Sequence, residues 1–262
     1  MTNHQVPPGQ RVKIVDLSTS ANAFHASRKS AEKEFKALRD EFVELQRRIY
    51  AEDRHSLLIV FQAMDAGGKD GTIRKVLRGV NPQGVRVNSF KSPTKNELAH
   101  DYLWRVHRVV PRRGMIGVFN RSHYEDVLVV RVEGLVPEYV WKKRYEQINA
   151  FEQLLAESGT KILKFFLHIS PEEQKARFQD RLDDPEKHWK FSRDDLEKRK
   201  KWDSYMSAYE AAINQCSTEW APWYVIPSDQ KWYRNLAITR IIVDTLKGMN
   251  PQYPEQFDDL SG

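Results

Sequence analysis

Residues 62 to 77 read QAMDAGGKDGTIRKVL and hold the side-chain types that an anion needs. Gly67 and Gly68 let backbone N–H groups converge on an anion with no Cβ in the way. A helix starting at the next residue adds the positive end of its dipole, and Lys69 supplies a mobile charge. The spacing matches the common phosphate-binding loop in part. Ala63 stands at the first glycine position, Asp70 replaces the Ser or Thr after the lysine, and Thr72 comes two residues later. Ala66, Gly67, Gly68, Lys69, Asp70, Gly71 and Thr72 form the candidate cradle, with Arg74 and Lys75 just beyond. The competing reading is a glycine turn into a helix with Lys69 solvated; the apolar run before it and the helical pattern after it favour phosphate. A bare Asp65 would repel a polyanion, so at a phosphate site it acts through a metal ion, and elsewhere it is a turn carboxylate capping an N–H.

A second cluster follows another apolar run: GMIGVFNRSHYEDVLVV. Arg121 can grip phosphate oxygens through its planar fork, and Glu125 or Asp126 could hold magnesium opposite Asp65. Ser122 with Glu125 also fits a capping box, which would make Glu125 structural. His123 is expected to be structural, because an ionised phosphate acceptor needs no histidine base.

These loops need a frame. Ser56 to Ala63 is a short apolar run, continuous rather than alternating, as in a parallel strand covered on both faces. Three similar runs, Val85 to Phe90, Met115 to Asn120 and Lys161 to Ile169, are expected to be covered in the same way, and Trp223 to Ile226 is a fourth candidate. Phe35, Leu38, Phe42, Leu45 and Ile49 recur at helical spacing and predict a helix over about 28–51. Trp141, Tyr145, Ile148, Phe151 and Leu155 predict another from near Pro137, while Thr94 with Glu97 and Ser170 with Glu173 match capping boxes. Strands alternating with helices imply crossover connections and a mainly parallel sheet between helix layers. Ligands bind such sheets at the carboxyl ends of the strands, just after Ala63 and just after Phe119.

The chain has 262 residues, 40% of them apolar and 30% charged, which excludes general disorder and is enough for one large α/β domain. The ends, about 1–20 and 249–262, carry prolines and no sustained period, so they are expected to be loosely held. One cysteine, Cys216, excludes internal disulfides, zinc fingers and iron-sulfur centres and fits a reducing compartment, and residues 1–11 are too polar for a signal-peptide core, so a cytoplasmic protein is expected. No apolar stretch approaches a membrane span. The formal net charge of +6 favours polyanionic partners without saying which.

Together FQAMDAGGKDGTIRKVL, VNPQGVRVNSFKSPT, DYLWRVH, FNRSHYEDVLV, KFFLHIS, RLDDPEKHWKFS and STEWAPWYVIPSDQKWYRN resemble the type 2 polyphosphate kinases, in order from about residue 30 to 245. The resemblance implies a P-loop kinase-like, three-layer α/β/α sandwich with a helical lid. It also implies phosphoryl transfer between inorganic polyphosphate and nucleotides with Mg2+, or Mn2+ in its place. Carried over, Lys69 falls on phosphate and Asp65 on the metal. Many members have aspartate where this chain has Asn120, which makes Asp126, with Glu125 as substitute, the second carboxylate. The NRSHYED variant resembles the subgroup that accepts both AMP and ADP, giving ADP and ATP; GMP and GDP are further candidate acceptors. No nucleic-acid or membrane partner is expected, and a homo-oligomer, dimer or tetramer, is.

The stretch from Arg177 to Lys201, broken by Pro185, resembles the lid of P-loop kinases. Arg177 and Arg181 lie four apart on one helix face, and Lys187, Trp189 and Lys190 follow on the turn. Basic side chains closing over the phosphates would neutralise charge and exclude water. Arg181 is accordingly placed with Asp65, Lys69, Arg121 and Asp126 among the residues expected to act in transfer. The basic run LEKRKK, 196–201, reads as a solvated helix face. An ATP-dependent kinase of small metabolites, or a non-catalytic binder of polyanions or nucleic acid, are the alternatives. Carboxylates beside a phosphate loop argue against the second unless a metal intervenes.

Overall fold

An uncharged run that is buried along its whole length must be covered on both faces, and all seven residues of Ser56–Gln62 are buried. In the computed structural model, which describes residues 4–190 and 192–255 apart from the side chains of Lys190 and Arg193, this run is the second of six strands. They are β1 (Gln5–Val6), β2 (Ser56–Gln62), β3 (Val85–Ser89), β4 (Ile116–Asn120), β5 (Thr160–His168) and β6 (Trp223–Pro227), in the sheet order β1-β6-β5-β2-β4-β3. Every pairing is parallel except β1 on β6. Register opposes Phe61 to Asn120, so the segments that follow β2 and β4 leave the sheet side by side.

Seven helices of eight residues or more are described: α1 (Arg28–Glu52), α2 (Lys69–Val76), α3 (Glu138–Glu157), α4 (Pro171–Asp183), α5 (Arg193–Lys200), α6 (Trp202–Cys216) and α7 (Lys231–Met249). Alternate residues of β2 feed two cores. Leu57, Ile59 and Phe61 pack with Phe42 and Ile49 of α1, Val76 of α2 and Ile238 of α7. Leu58 and Val60 join the core formed by Ile148 and Phe151 of α3 with Tyr209 and Ile213 of α6. The three-layer α/β/α sandwich expected from the alternation of elements is therefore present. Its helices start where the capping residues stand: the Thr94–Glu97 box closes in both directions, and the Ser170 side chain accepts from the Glu173 N–H. The Glu173 carboxylate turns to Arg177 instead of back to the cap.

Two expectations need correction. Residues 4–20 are held to the sheet: Val6 is buried in β1, the Ser217 hydroxyl donates to its carbonyl at 2.6 Å, and Glu210 accepts from the Ile14 N–H at 2.8 Å. A two-residue strand leaves too little periodicity to read, yet it shields the edge that β6 would otherwise present. At the C-terminal end Pro251 is buried, and residues 256–262 lie outside the description. The second correction is β3, an edge strand with Arg86, Val87 and Ser89 exposed rather than one covered on both faces. No described helix is long and apolar enough to cross a membrane.

One charged group sits in the middle of the apolar frame. Lys164 of β5 is fully buried, and its ammonium donates to the Glu152 carboxylate at 2.5 Å, the Cys216 carbonyl at 2.6 Å and the Tyr124 hydroxyl at 2.7 Å. Glu152 also accepts from Tyr124 Oη at 3.0 Å and pairs with His123 Nε2 at 3.1 Å. Burial works against the Glu152 carboxylate, but Lys164 and His123 hold it below its ordinary pKa. Removing one partner of such a pair strands the other charge in a low-dielectric interior. Lys164→Met is therefore expected to lower the unfolding free energy by about 3–5 kcal/mol, read from urea denaturation.

Candidate active site

Beyond β2 the chain turns so tightly that two of its residues must be glycine. A Cβ on Gly67 would lie 2.5 Å from the Ala63 Cβ and 2.7 Å from the Met64 carbonyl; Gly68 has φ +96°. Ala66 adds a left-handed φ of 60°, a strained conformation of the kind that clusters at functional sites. At α2 the Lys69 ammonium is buried and donates to the Ala63 carbonyl at 2.8 Å. Burial, with Arg121 nearby, pulls its pKa down to about 8 against the opposing pull of Asp65. A bound anion would stabilise the charged form. Asp70, Gly71 and Arg74 line the same cleft. Thr72 does not reach it: its side chain turns back into the helix and donates to the Gly68 carbonyl at 2.9 Å. Lys75 is exposed outside the cleft lining.

The loop after β4 meets this cradle through Arg121, whose φ of 61° turns its side chain back toward β2. Its backbone N–H donates to the Phe61 carbonyl at 3.0 Å. Its guanidinium donates to Asp65 at 2.6 Å and to Glu125 at 3.5 Å. Lys198 of α5 reaches the other Asp65 oxygen at 3.4 Å. Burial would raise the Asp65 pKa, but Lys69, Arg121 and Lys198 together hold its carboxyl below the usual range. Burial likewise opposes the Arg121 charge, and Glu125 with Asp65 holds that pKa above its ordinary value. Glu125 faces Arg121 and so is no helix cap; the Ser122 hydroxyl accepts from the Tyr124 N–H instead. Asn120 donates to the Asp70 carboxylate at 2.5 Å across the cleft. His123 is fully buried on Glu152, in the structural place expected for it.

Opposite the cradle stand α4, the turn Pro185–Lys190 and α5, in the position of the expected lid. The cleft between them has a volume of about 700 Å³, and Arg181, Lys187 and Trp189 line it with Lys69 and Arg121. Arg181 is braced by Asp195 at 3.2 Å, Lys187 pairs with Asp184 at 2.7 Å, and Trp189 is 79% exposed. The Lys190 side chain, also expected here, lies outside the described residues. Arg177 lines the same cleft but is engaged differently from expectation. It is buried at mid-length of α4, and its guanidinium donates to the carbonyls of Ala66, Gly67 and Ser228 at 3.0, 3.0 and 2.5 Å. Such a side chain buttresses the loop rather than moving with a lid.

Lys198, Lys231 and Arg234 are cationic residues of this region that escaped sequence reading. Lys198 lies in the basic run read as a solvated face, and only the fold aims it at Asp65. Arg234 of α7 lines the cleft although 166 residues separate it from Gly68 in sequence.

Comparison with known proteins places this geometry among relatives. The family model described as polyphosphate kinase 2 matches residues 25–254. The chain is 56% identical to an AMP/ADP-polyphosphate phosphotransferase of Meiothermus ruber, over 97% of this chain and 96% of that protein. It is 46% identical to an ADP-polyphosphate phosphotransferase of Rhodopseudomonas palustris, over 96% and 91% of the two chains. The crystal structure of polyphosphate kinase 2 from Arthrobacter aurescens TC1 superposes with a TM-score of 0.93 at 41% identity, covering 98% of this chain and 92% of that one.

Asp126 is the remaining correction. The structure does not bring it to Asp65: its carboxylate accepts from Arg144 of α3 at 3.0 Å, in a separate hollow beside Tyr102 and Arg105. The short turn at 123–126 rotates successive side chains apart, so Glu125 faces the cradle and Asp126 faces α3. Burial pushes the Asp126 carboxyl up to about 6 although Arg144 pulls the other way. A raised folded-state pKa means that the native protein binds the extra proton between the ordinary aspartate value and about 6, so this group's contribution to stability falls as pH rises through that window. Denaturation at pH 4 and pH 6.5 should show a smaller loss in Asp126→Asn than in the parent, by up to about 3 kcal/mol.

Proposed function

The chain belongs to the polyphosphate kinase 2 family, and from that premise we propose that it transfers the terminal phosphoryl group of inorganic polyphosphate to AMP and to ADP, giving ADP and ATP. The observation that carries this reading is the concentration of cations around an ionised carboxylate at the strand ends: Lys69, Arg121 and Lys198 surround Asp65, which lines the main cleft. The AMP/ADP-polyphosphate activity named for the Meiothermus ruber relative supplies the acceptor range.

The chemistry needs little beyond placement and charge. The terminal phosphate of either acceptor, with a second pKa near about 6, is already a nucleophile at neutral pH. The cradle N–H groups and Lys69 hold donor phosphate, and Arg121 screens the charge that spreads over the transferring group. In the lid, Arg181 and Lys187 face the reacting groups from above and exclude water, the competing acceptor.

The acidic residues fit a magnesium ion. Among the described residues there is no cluster of three or more His, Cys, Asp or Glu arranged for a metal, so a cage made wholly of protein is not what they offer. Magnesium binds through one or two carboxylates and takes its other ligands from phosphate oxygens and water, which suits the ionised Asp65 once it exchanges its contact with Arg121 or Lys198 for the ion. Asp65 would hold the ion, which when bound neutralises phosphate charge.

Chromatography of nucleotides after mixing the protein with magnesium, polyphosphate and AMP, without ATP, should show ADP and then ATP. Absence of both, with turnover on ATP and a small metabolite instead, would assign the cleft to an ATP-dependent kinase. Lys69→Ala should lower kcat by about 10²- to 10³-fold with an unchanged circular dichroism spectrum; a near-normal rate would remove Lys69 from the mechanism.

A further inference from the structure

Two arginines are buried against the same loop, and they use their donors in opposite ways. A guanidinium carries five N–H groups. Arg177 directs its own to the Glu173 carboxylate at 2.7 Å and to the carbonyls of Ala66, Gly67, Ser228 and Asp229 at 2.5–3.3 Å. Arg234 is more deeply buried, at 3% exposure, yet its contacts are three long ones: two to Asn235 Oδ1 at 3.3 and 3.4 Å and one to the Gly67 carbonyl at 3.4 Å. Among the described residues no carboxylate pairs with it. Glu173, the acidic side chain in its field, is already engaged by Arg177. Its place in the chain is also unfavourable, since it is the fourth residue of α7, near the positive end of a 19-residue helix.

A buried cation with neither an ion pair nor short hydrogen bonds is poorly compensated. The fold offsets its charge only through long contacts, and the cleft can supply the rest. A Cβ on Gly68 would lie 2.2 Å from Arg234 Nη1, so the guanidinium fills the space against the glycine where the cradle opens. It shares that cleft with Lys69 and Arg121. We infer that Arg234 is a phosphate-binding residue of the cradle, which takes its missing acceptor from an oxyanion of the substrate while Arg177 holds the loop in shape. The inference rests on the phosphotransferase reading above and adds the residue that closes the anion site from the α7 side. Burial, with Arg177 alongside, pulls the Arg234 pKa down to about 9, the direction expected of a cation whose counter-charge is not part of the chain. It also gives Gly68 a second reason to be glycine, beyond its φ.

Tripolyphosphate and AMP, each with magnesium, are the two probes, because donor and acceptor present the same phosphate chemistry. Calorimetric titration and thermal unfolding of the parent and of Arg234→Met should show an unliganded Tm equal to or above the parent's. Affinity for at least one probe should be weaker by about 10- to 100-fold. Loss toward tripolyphosphate alone assigns Arg234 to the donor, and loss toward AMP alone assigns it to the acceptor; both support the inference. A lower unliganded Tm with both affinities unchanged would make Arg234 a scaffold residue and overturn it. If Arg234→Met does not fold, Arg234→Lys decides: weaker binding at an unchanged Tm supports the inference, and unchanged binding overturns it. A parent that binds neither probe would instead overturn the phosphotransferase reading, and this inference with it.

Discussion

The contact between Asp65 and Arg121, 2.6 Å long, is the interaction on which the rest of the site depends. It joins the loops that leave two neighbouring parallel strands, and strand register alone brings those loops within reach. Without the carboxylate, Lys69, Arg121 and Lys198 would repel one another in a partly desolvated space. Without the cations, a carboxylate at the end of an apolar strand would be driven to its neutral form. Each sign of charge keeps the other ionised. The arrangement can therefore exist before substrate arrives and does not have to be assembled at the moment of binding, which is what electrostatic preorganisation requires.

The same balance explains the division of labour around the cradle. Gly67 and Gly68 make the turn possible, and Arg177 fixes its carbonyls from α4. What faces the cleft is a set of cations, Lys69, Arg121, Arg181 and Arg234 among them, with Asp65, Asp70 and Asp195 set between them. The lid carries charge of both signs, with Arg181 on Asp195 and Lys187 on Asp184, so its basic groups are held in place by acidic neighbours.

Local pattern made much of this legible in the sequence. The continuous apolar run at Ser56–Gln62, the glycine pair with its lysine and the Thr94–Glu97 box each rest on contacts within a few residues, and each stands where the chain reads it. Four kinds of feature were not legible. β1 is too short to have a period. Asp126 was expected to face Asp65, and the turn at 123–126 gives that direction to Glu125; adjacent acidic residues cannot be told apart without the backbone. Arg177 and Thr72 have suitable chemistry at suitable positions, but their donors are consumed by backbone carbonyls, a fact of three-dimensional bookkeeping. Lys198 and Arg234 come from helices remote in sequence, so no spacing rule reaches them.

The buried Lys164 network makes distance from the cleft a poor guide to functional weight in this protein. Tyr124 and His123 share one short loop with Arg121, and both are moored to Glu152 in the core between the sheet and α3. The cleft is thus built on a foundation that never touches solvent or substrate. Surveys of sequence variation that count only residues lining the cleft would pass over Glu152 and Lys164, although they anchor the two residues, His123 and Tyr124, that follow shortly after Arg121 in the same loop.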